Sequence, residues 1–206
     1  MPARHPDLHG LAPDTCPVAL VIVDVITDFD FPDGDALLDA ARPAVAPIAS
    51  LAERARATGV PVVYVNDNRG RWHDDFPAVL ERALAGPGRD VAERLRPAPD
   101  DYLVLKPKHS AFFQTPFETL LDHLGTRTLV LTGLTADVCL VATALDATMR
   151  DFHLVVPSNA TAAVEPADTE AALAYLRRVA DAETPSAADV DFDALVEAAR
   201  AADVPD

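Results

Sequence analysis

Five short apolar runs, rich in β-branched residues and separated by longer amphipathic stretches, constrain this chain most. They are Val18-Ala19-Leu20-Val21-Ile22-Val23, Pro61-Val62-Val63-Tyr64-Val65, Tyr102-Leu103-Val104-Leu105, Thr128-Leu129-Val130-Leu131-Thr132 and Leu154-Val155-Val156. Each is nearly continuous in apolar character, as a strand buried on both faces must be; a strand with one wet face would alternate. Interleaved with helical stretches, such runs point to βαβ units, an α/β fold with a mainly parallel sheet flanked by helices on both faces, three layers in all.

Between the runs, residues 35–58 read as a helix that Pro43 and Pro47 kink or split, because each removes a backbone donor. Gly59 ends it. Residues 116–124 carry Phe117, Leu120, Leu121 and Leu124 on one helical stripe and stop at Gly125. Residues 138–149 and 167–180 pass the same test. Residues 67–100, with Gly70, Gly86, Pro87, Gly88, Pro97 and Pro99, form a long excursion holding one or two short helices, and such excursions often serve as lids or binding loops. With 206 residues, half of them apolar, the chain is expected to be one domain over residues 1–206. Its core spans about residues 15–183. The acidic, Ala-rich stretch 184–206 is expected to be a peripheral segment, with a helix over 192–202.

The net charge of −16 repels phosphate backbones and anionic lipid, so neither nucleic acid nor a membrane surface is an expected partner. The same acidity also has a compositional reading, with Ala, Arg, Asp and Pro displacing Lys, Asn and Ile, and then it mainly sets solubility. The opening MPARHPDLHGLAPD has no apolar core behind its arginine, and no apolar run approaches the roughly 20 residues of a membrane span. A cytoplasmic location follows as the expectation. Cys16 and Cys139 fit no CxxC spacing, which leaves a free thiol rather than a disulfide framework.

In an open parallel sheet, ligands bind outside the carboxyl ends of the strands. Asp24 follows the first run, Lys106 the third, and Cys139 the fourth, after the turn Gly133-Leu134-Thr135-Ala136-Asp137. Cys139 opens an apolar helix, whose unpaired N–H groups and dipole favour an anion and would lower a thiol pKa. A carboxylate beside the thiol can accept its proton, and an ammonium beside both can hold the negative charge. The helix terminus can also supply donors to a tetrahedral oxyanion. Taken singly, Asp24 could cap a turn, Lys106 could be a solvated strand end and Cys139 a small core hydrophobe. Three such residues at three crevice positions read instead as base, electrostatic partner and nucleophile.

The segments VALVIVDVITDF, PVVYVNDN, LKPKHSAFFQTPFETLL and LVLTGLTADVCLVATALDATMRD resemble, in order and spacing, the isochorismatase-like cysteine hydrolase superfamily over about residues 18–160. The resemblance implies a Rossmann-like sheet and a catalytic set of Asp24, Lys106 and Cys139, with Lys106 rather than Lys108 chosen because it begins the K-x-x-x-S-A-F motif. It implies a cis peptide between Leu134 and Thr135 and an oxyanion hole made by the N–H groups of Thr135 and Cys139. Because members that cleave a vinyl ether can lack the cysteine, its presence implies hydrolysis of the C–N bond of a small amide, carbamoyl or ureido compound through a thioester. Relatives that are nicotinamidases bind a metal through an Asp-x-His pair, where this chain reads Asp67-Asn68-Arg69. No metal and no other cofactor are therefore expected, and His73, Asp74 and Asp75 read first as a solvated loop. A metal-dependent nicotinamidase and a catalytically idle scaffold stay open as alternatives. The resemblance further implies a small-molecule substrate and a homo-oligomer.

For the pocket wall, position after strand ends or within the excursion nominates Phe29, Asn66, Asn68, Trp72 and Phe113. His109 either reaches substrate or is an exposed turn residue. Thr143 and Asp146, on the cysteine helix, read as packing or capping residues.

Overall fold

The structure, a computed structural model, describes residues 15–202. Strand β1 (Val18–Val23) lies at the centre of the sheet, and all six of its side chains are fully buried. It pairs in parallel with β2 (Val62–Asp67) on one side and β4 (Thr128–Leu134) on the other. Strand β3 (Tyr102–Lys106) lies outside β2, and β5 (His153–Val155) lies outside β4, giving the order β3-β2-β1-β4-β5. A two-residue strand, β6 (Thr161–Ala162), continues along the same edge of β4 beyond β5. Every strand pairing is parallel. The order reverses between β1 and β4, so the switch point falls at their carboxyl ends.

The period of two in a strand sends alternate residues to opposite faces, and two cores result. Leu20, Ile22, Val62, Tyr64 and Val130 face one helical layer: α1 (Gly34–Ala57), α2 (Phe76–Ala85), α3 (Arg89–Arg94) and α7 (Phe192–Ala202). Ala19, Val21, Val63, Leu129 and Leu131 face the other: α4 (Phe117–Leu124), α5 (Val141–Thr148) and α6 (Pro166–Val179). The expected three-layer α/β architecture is present. No helix among the described residues is long and apolar enough to cross a membrane.

Three details differ from the sequence expectation. Helix α1 is one continuous element through Pro43 and Pro47. The two prolines stand four residues apart on the outer side, while Ala41, Ala44, Ile48, Leu51 and Ala55 press an unbroken buried stripe onto the sheet. Tertiary burial along that stripe offsets the lost donors. Second, the stretch after residue 184 is not peripheral: Ala187, Val190, Phe192 and Ala199 are buried in the first core. Arg54 of α1 donates to the Val190 carbonyl at 2.5 Å and also to that of Ala187. Its few apolar anchors are diluted by acidic residues, which hid them from a compositional reading. Third, β6 was too short to leave a pattern of its own.

Candidate active site

Strands β1, β2, β3 and β4 all deliver polar groups to the carboxyl edge of the sheet. Asp24 leaves β1 with a positive φ of 53°, while its N–H still bonds the Val65 carbonyl of β2 at 2.9 Å. Beside it, Gly133 of β4 is paired with Val23 and has a φ of +107°; a Cβ there would lie 2.1 Å from the Val23 carbonyl oxygen. Only glycine permits β4 to pass β1 this closely. The Leu134–Thr135 peptide that follows is cis, as the resemblance implied.

Cys139 sits in a π-helical turn (Ala136–Leu140) that leads directly into α5. Lys106, at the end of β3, is completely buried, and its ammonium joins the cluster together. Nζ lies 2.8 Å from Asp24 Oδ2, 3.5 Å from Cys139 Sγ and 3.6 Å from Asp67 Oδ2, and donates to the Lys108 carbonyl at 3.1 Å. The Asp67 N–H donates to Asp24 Oδ1 at 2.6 Å. The three residues proposed from sequence therefore converge. Lys108, the rejected alternative, is exposed and contributes only its backbone carbonyl.

The electrostatics of the resting cluster differ from the sequence expectation for the thiol. Burial, and then the neighbouring Asp24 charge, push the Cys139 thiol up to about 12 against the opposing pull of Lys106. A helix terminus was expected to lower it, but in a desolvated site beside a carboxylate the proton stays on sulfur. Burial likewise raises the Asp24 carboxyl above the usual carboxylate range, although Lys106 resists this. A raised carboxyl is a stronger base than an ordinary carboxylate. For Lys106, burial is the largest single influence and pulls downward, yet its anionic surroundings, the Asp24 carboxylate foremost, carry it above its ordinary value. The resting site is thus a buried Asp24–Lys106 ion pair holding a neutral thiol.

A cavity of about 410 Å³ opens over the sulfur. Leu134, Thr135, Val138 and Cys139 form one wall; Ile26, Thr27, Asp28 and Phe31, from the segment after β1, form another. Leu37 of α1 and Val79 and Arg82 of α2 close it from the helical side. The excursion thus contributes walls, as its length suggested. Both cavity-lining arginines are already paired with carboxylates, Arg69 with Asp28 and Arg82 with Asp74.

Of the five nominated wall residues, Asn66 lines the cavity and the other four do not. Asn66 is itself committed: Nδ2 donates to the Ile26 carbonyl at 2.7 Å, and Oδ1 accepts from the Ile26 N–H at 3.2 Å, which pins the first loop. Phe29 is 2 % exposed, its ring packed so closely on Gly88 that a Cβ there would come within 2.2 Å. Asn68 is buried and folds back to accept from the Gly70 N–H at 2.9 Å. Trp72 and Phe113 are 75 % and 50 % exposed and do not line the cavity. Phe31, Arg69, Val79 and Arg82 were missed, because their approach depends on how the loop and excursion fold back over the sheet. The apolar positions of α2 were the one local signal for Val79.

The donors near Asp67 do not suit a metal. Asp67 is engaged by Lys106 and by the Arg69 N–H, and Arg69 occupies the place of the absent histidine. His73 is exposed, Asp74 pairs with Arg82, and Asp75 caps α2 through the Ala78 N–H at 2.9 Å. Among the described residues no group of three or more His, Cys, Asp or Glu side chains converges as a metal site requires.

The isochorismatase domain model matches residues 18–189. The chain belongs to the isochorismatase family. It is 36 % identical over 165 residues to the uncharacterized isochorismatase family protein YaaI of Bacillus subtilis, covering 80 % of this chain and 91 % of that protein. It is 29 % identical over 204 residues to the ureidoacrylate amidohydrolase RutB of Azorhizobium caulinodans, covering 85 % and 88 %. Among solved structures it resembles the N-carbamoylsarcosine amidase of Thermoplasma acidophilum with a TM-score of 0.62 and 30 % identity, over 84 % of this chain and 98 % of that one. This protein is accordingly an isochorismatase-family hydrolase, and the cluster at its sheet edge is the candidate for its chemistry.

Proposed function

We propose that this isochorismatase-family hydrolase cleaves the C–N bond of a small amide, carbamoyl or ureido compound through a thioester at Cys139. The observation that carries this reading is the Lys106 ammonium, 2.8 Å from the Asp24 carboxylate and 3.5 Å from the Cys139 sulfur, the latter two residues lining one cavity. Asp24 takes the thiol proton, to which it is hydrogen-bonded. The sulfur attacks the carbonyl carbon, and the N–H groups of Thr135 and Cys139 receive the developing oxyanion. As the C–N bond breaks, Asp24 returns the proton to the departing nitrogen. Lys106 stays charged throughout and holds the carboxylate in place.

The names of two relatives, a ureidoacrylate amidohydrolase and an N-carbamoylsarcosine amidase, support C–N cleavage as the reaction class. The volume of about 410 Å³ suits a small molecule. Ammonia release across a panel of primary amides and ureido compounds tests the reading. Cys139→Ala and Asp24→Ala should each abolish release while the circular dichroism spectrum is kept. Normal turnover by purified Cys139→Ala protein would sink it.

A further inference from the structure

The sulfur of Cys139 has a third neighbour that the reaction described above does not use. His109 lines the cavity, and its Nδ1 lies 3.8 Å from Sγ. Asp24 and Lys106 approach from the buried side, where Asp24 Oδ1 also accepts from the Asp67 N–H and Oδ2 pairs with Lys106. His109 is exposed and so flanks the sulfur on its open side. Its position is built rather than incidental. The preceding carbonyl, of Lys108, accepts from the Lys106 ammonium at 3.1 Å. Two residues on, the Ala111 N–H donates to the Thr143 hydroxyl at 3.0 Å. Thr143 is buried one helical turn beyond Cys139, so the bond ties the histidine loop to the element that carries the nucleophile.

Resting on the thioester reading above, we propose that His109 is a catalytic base for the second half of the reaction, in which water hydrolyses the acyl-cysteine. Once the amine has left, water can reach the thioester only from the cavity, where the imidazole stands. His109 takes a proton from that water while its oxygen bonds to the acyl carbon. The C–S bond then breaks, its electron pair goes to sulfur, and the imidazolium gives its proton to the thiolate. The products are the free acid and the neutral thiol. Labour is thereby divided between two bases, Asp24 for acylation and His109 for deacylation.

The test uses p-nitrophenyl acetate as an acyl donor, because its acylation releases a chromophore while deacylation is read separately. The acetyl-enzyme is isolated by rapid gel filtration and its decay followed by intact mass. In His109→Gln, p-nitrophenolate release on first mixing should keep its wild-type rate, and acetyl-enzyme decay should slow by about 100-fold. Added imidazole should restore decay in His109→Ala, which a merely structural role would not allow. Decay within about twofold of wild type, or an equal loss in acylation and decay, would overturn the proposal. Acetylation of Cys139→Ala at the wild-type rate would instead bring down the underlying thioester reading.

Discussion

The Lys106 ammonium stands 2.8 Å from Asp24 Oδ2 inside a site from which its own side chain is wholly closed to solvent. A buried pair of this kind is costly to break on one side, because the remaining charge is left in a medium that solvates it poorly. Lys106→Met should therefore destabilise the fold by about 3–5 kcal/mol, measured by urea unfolding. The double variant Asp24→Asn, Lys106→Met should recover most of that loss. Additive losses in the double variant would show that the two residues do not act as a pair.

The thiol pushed up to about 12 predicts a pH dependence with a definite sign. Between an ordinary value of 9.0 and about 12, the unfolded chain releases the Cys139 proton while the folded chain keeps it. The folded state then binds more protons, so its stability falls as pH rises through this window and is fully present below it. Wild-type protein should lose stability more steeply than Cys139→Ala over that range, as read by denaturant midpoints. Iodoacetamide alkylation of Cys139, followed by peptide mapping to separate it from Cys16, should keep accelerating past pH 9. A rate that levels off near neutrality would contradict the neutral resting thiol.

Gly133 predicts a loss of both stability and activity from a single methyl group. A Cβ at this position would meet the Val23 carbonyl at 2.1 Å, in a backbone conformation that alanine adopts only under strain. Gly133→Ala should cost at least about 2 kcal/mol. Because Asp24 and Cys139 follow the two strands it would force apart, turnover should fall further than the fraction unfolded accounts for. Equal losses in folded fraction and in turnover would refute that coupling.

Asp67 is held by Lys106 and by the Arg69 N–H, and Arg69 pairs with Asp28, so both of these carboxylates are already engaged. Dialysis against a strong chelator should leave amide hydrolysis unchanged, and added zinc should not raise it. Activity lost to the chelator and restored by a metal would establish a requirement that these contacts do not suggest.

Local pattern was enough to place the five main strands and the three groups at their ends. Burial on both faces writes itself into consecutive residues, and the carboxyl ends of parallel strands share one edge. Asp24, Lys106 and Cys139 could thus be brought together on paper. What surrounds them could not. Trp72 and Phe113 are aromatic residues in loops, and whether a loop side chain faces a cavity or solvent depends on the path of the chain, which no periodicity encodes.

Through helix α1, the tertiary structure overrode the two prolines, because the energy of a long buried stripe exceeds the cost of two missing donors on the outer face. It likewise drew Phe192 and its neighbours into the core despite their acidic surroundings. The thiol shows the same division most sharply. Sequence alone determined that a cysteine opens the helical segment after β4, and a helix terminus by itself argues for a low pKa. Only the folded chain decided the opposite, since desolvation and the Asp24 carboxylate act through space, between residues more than a hundred positions apart.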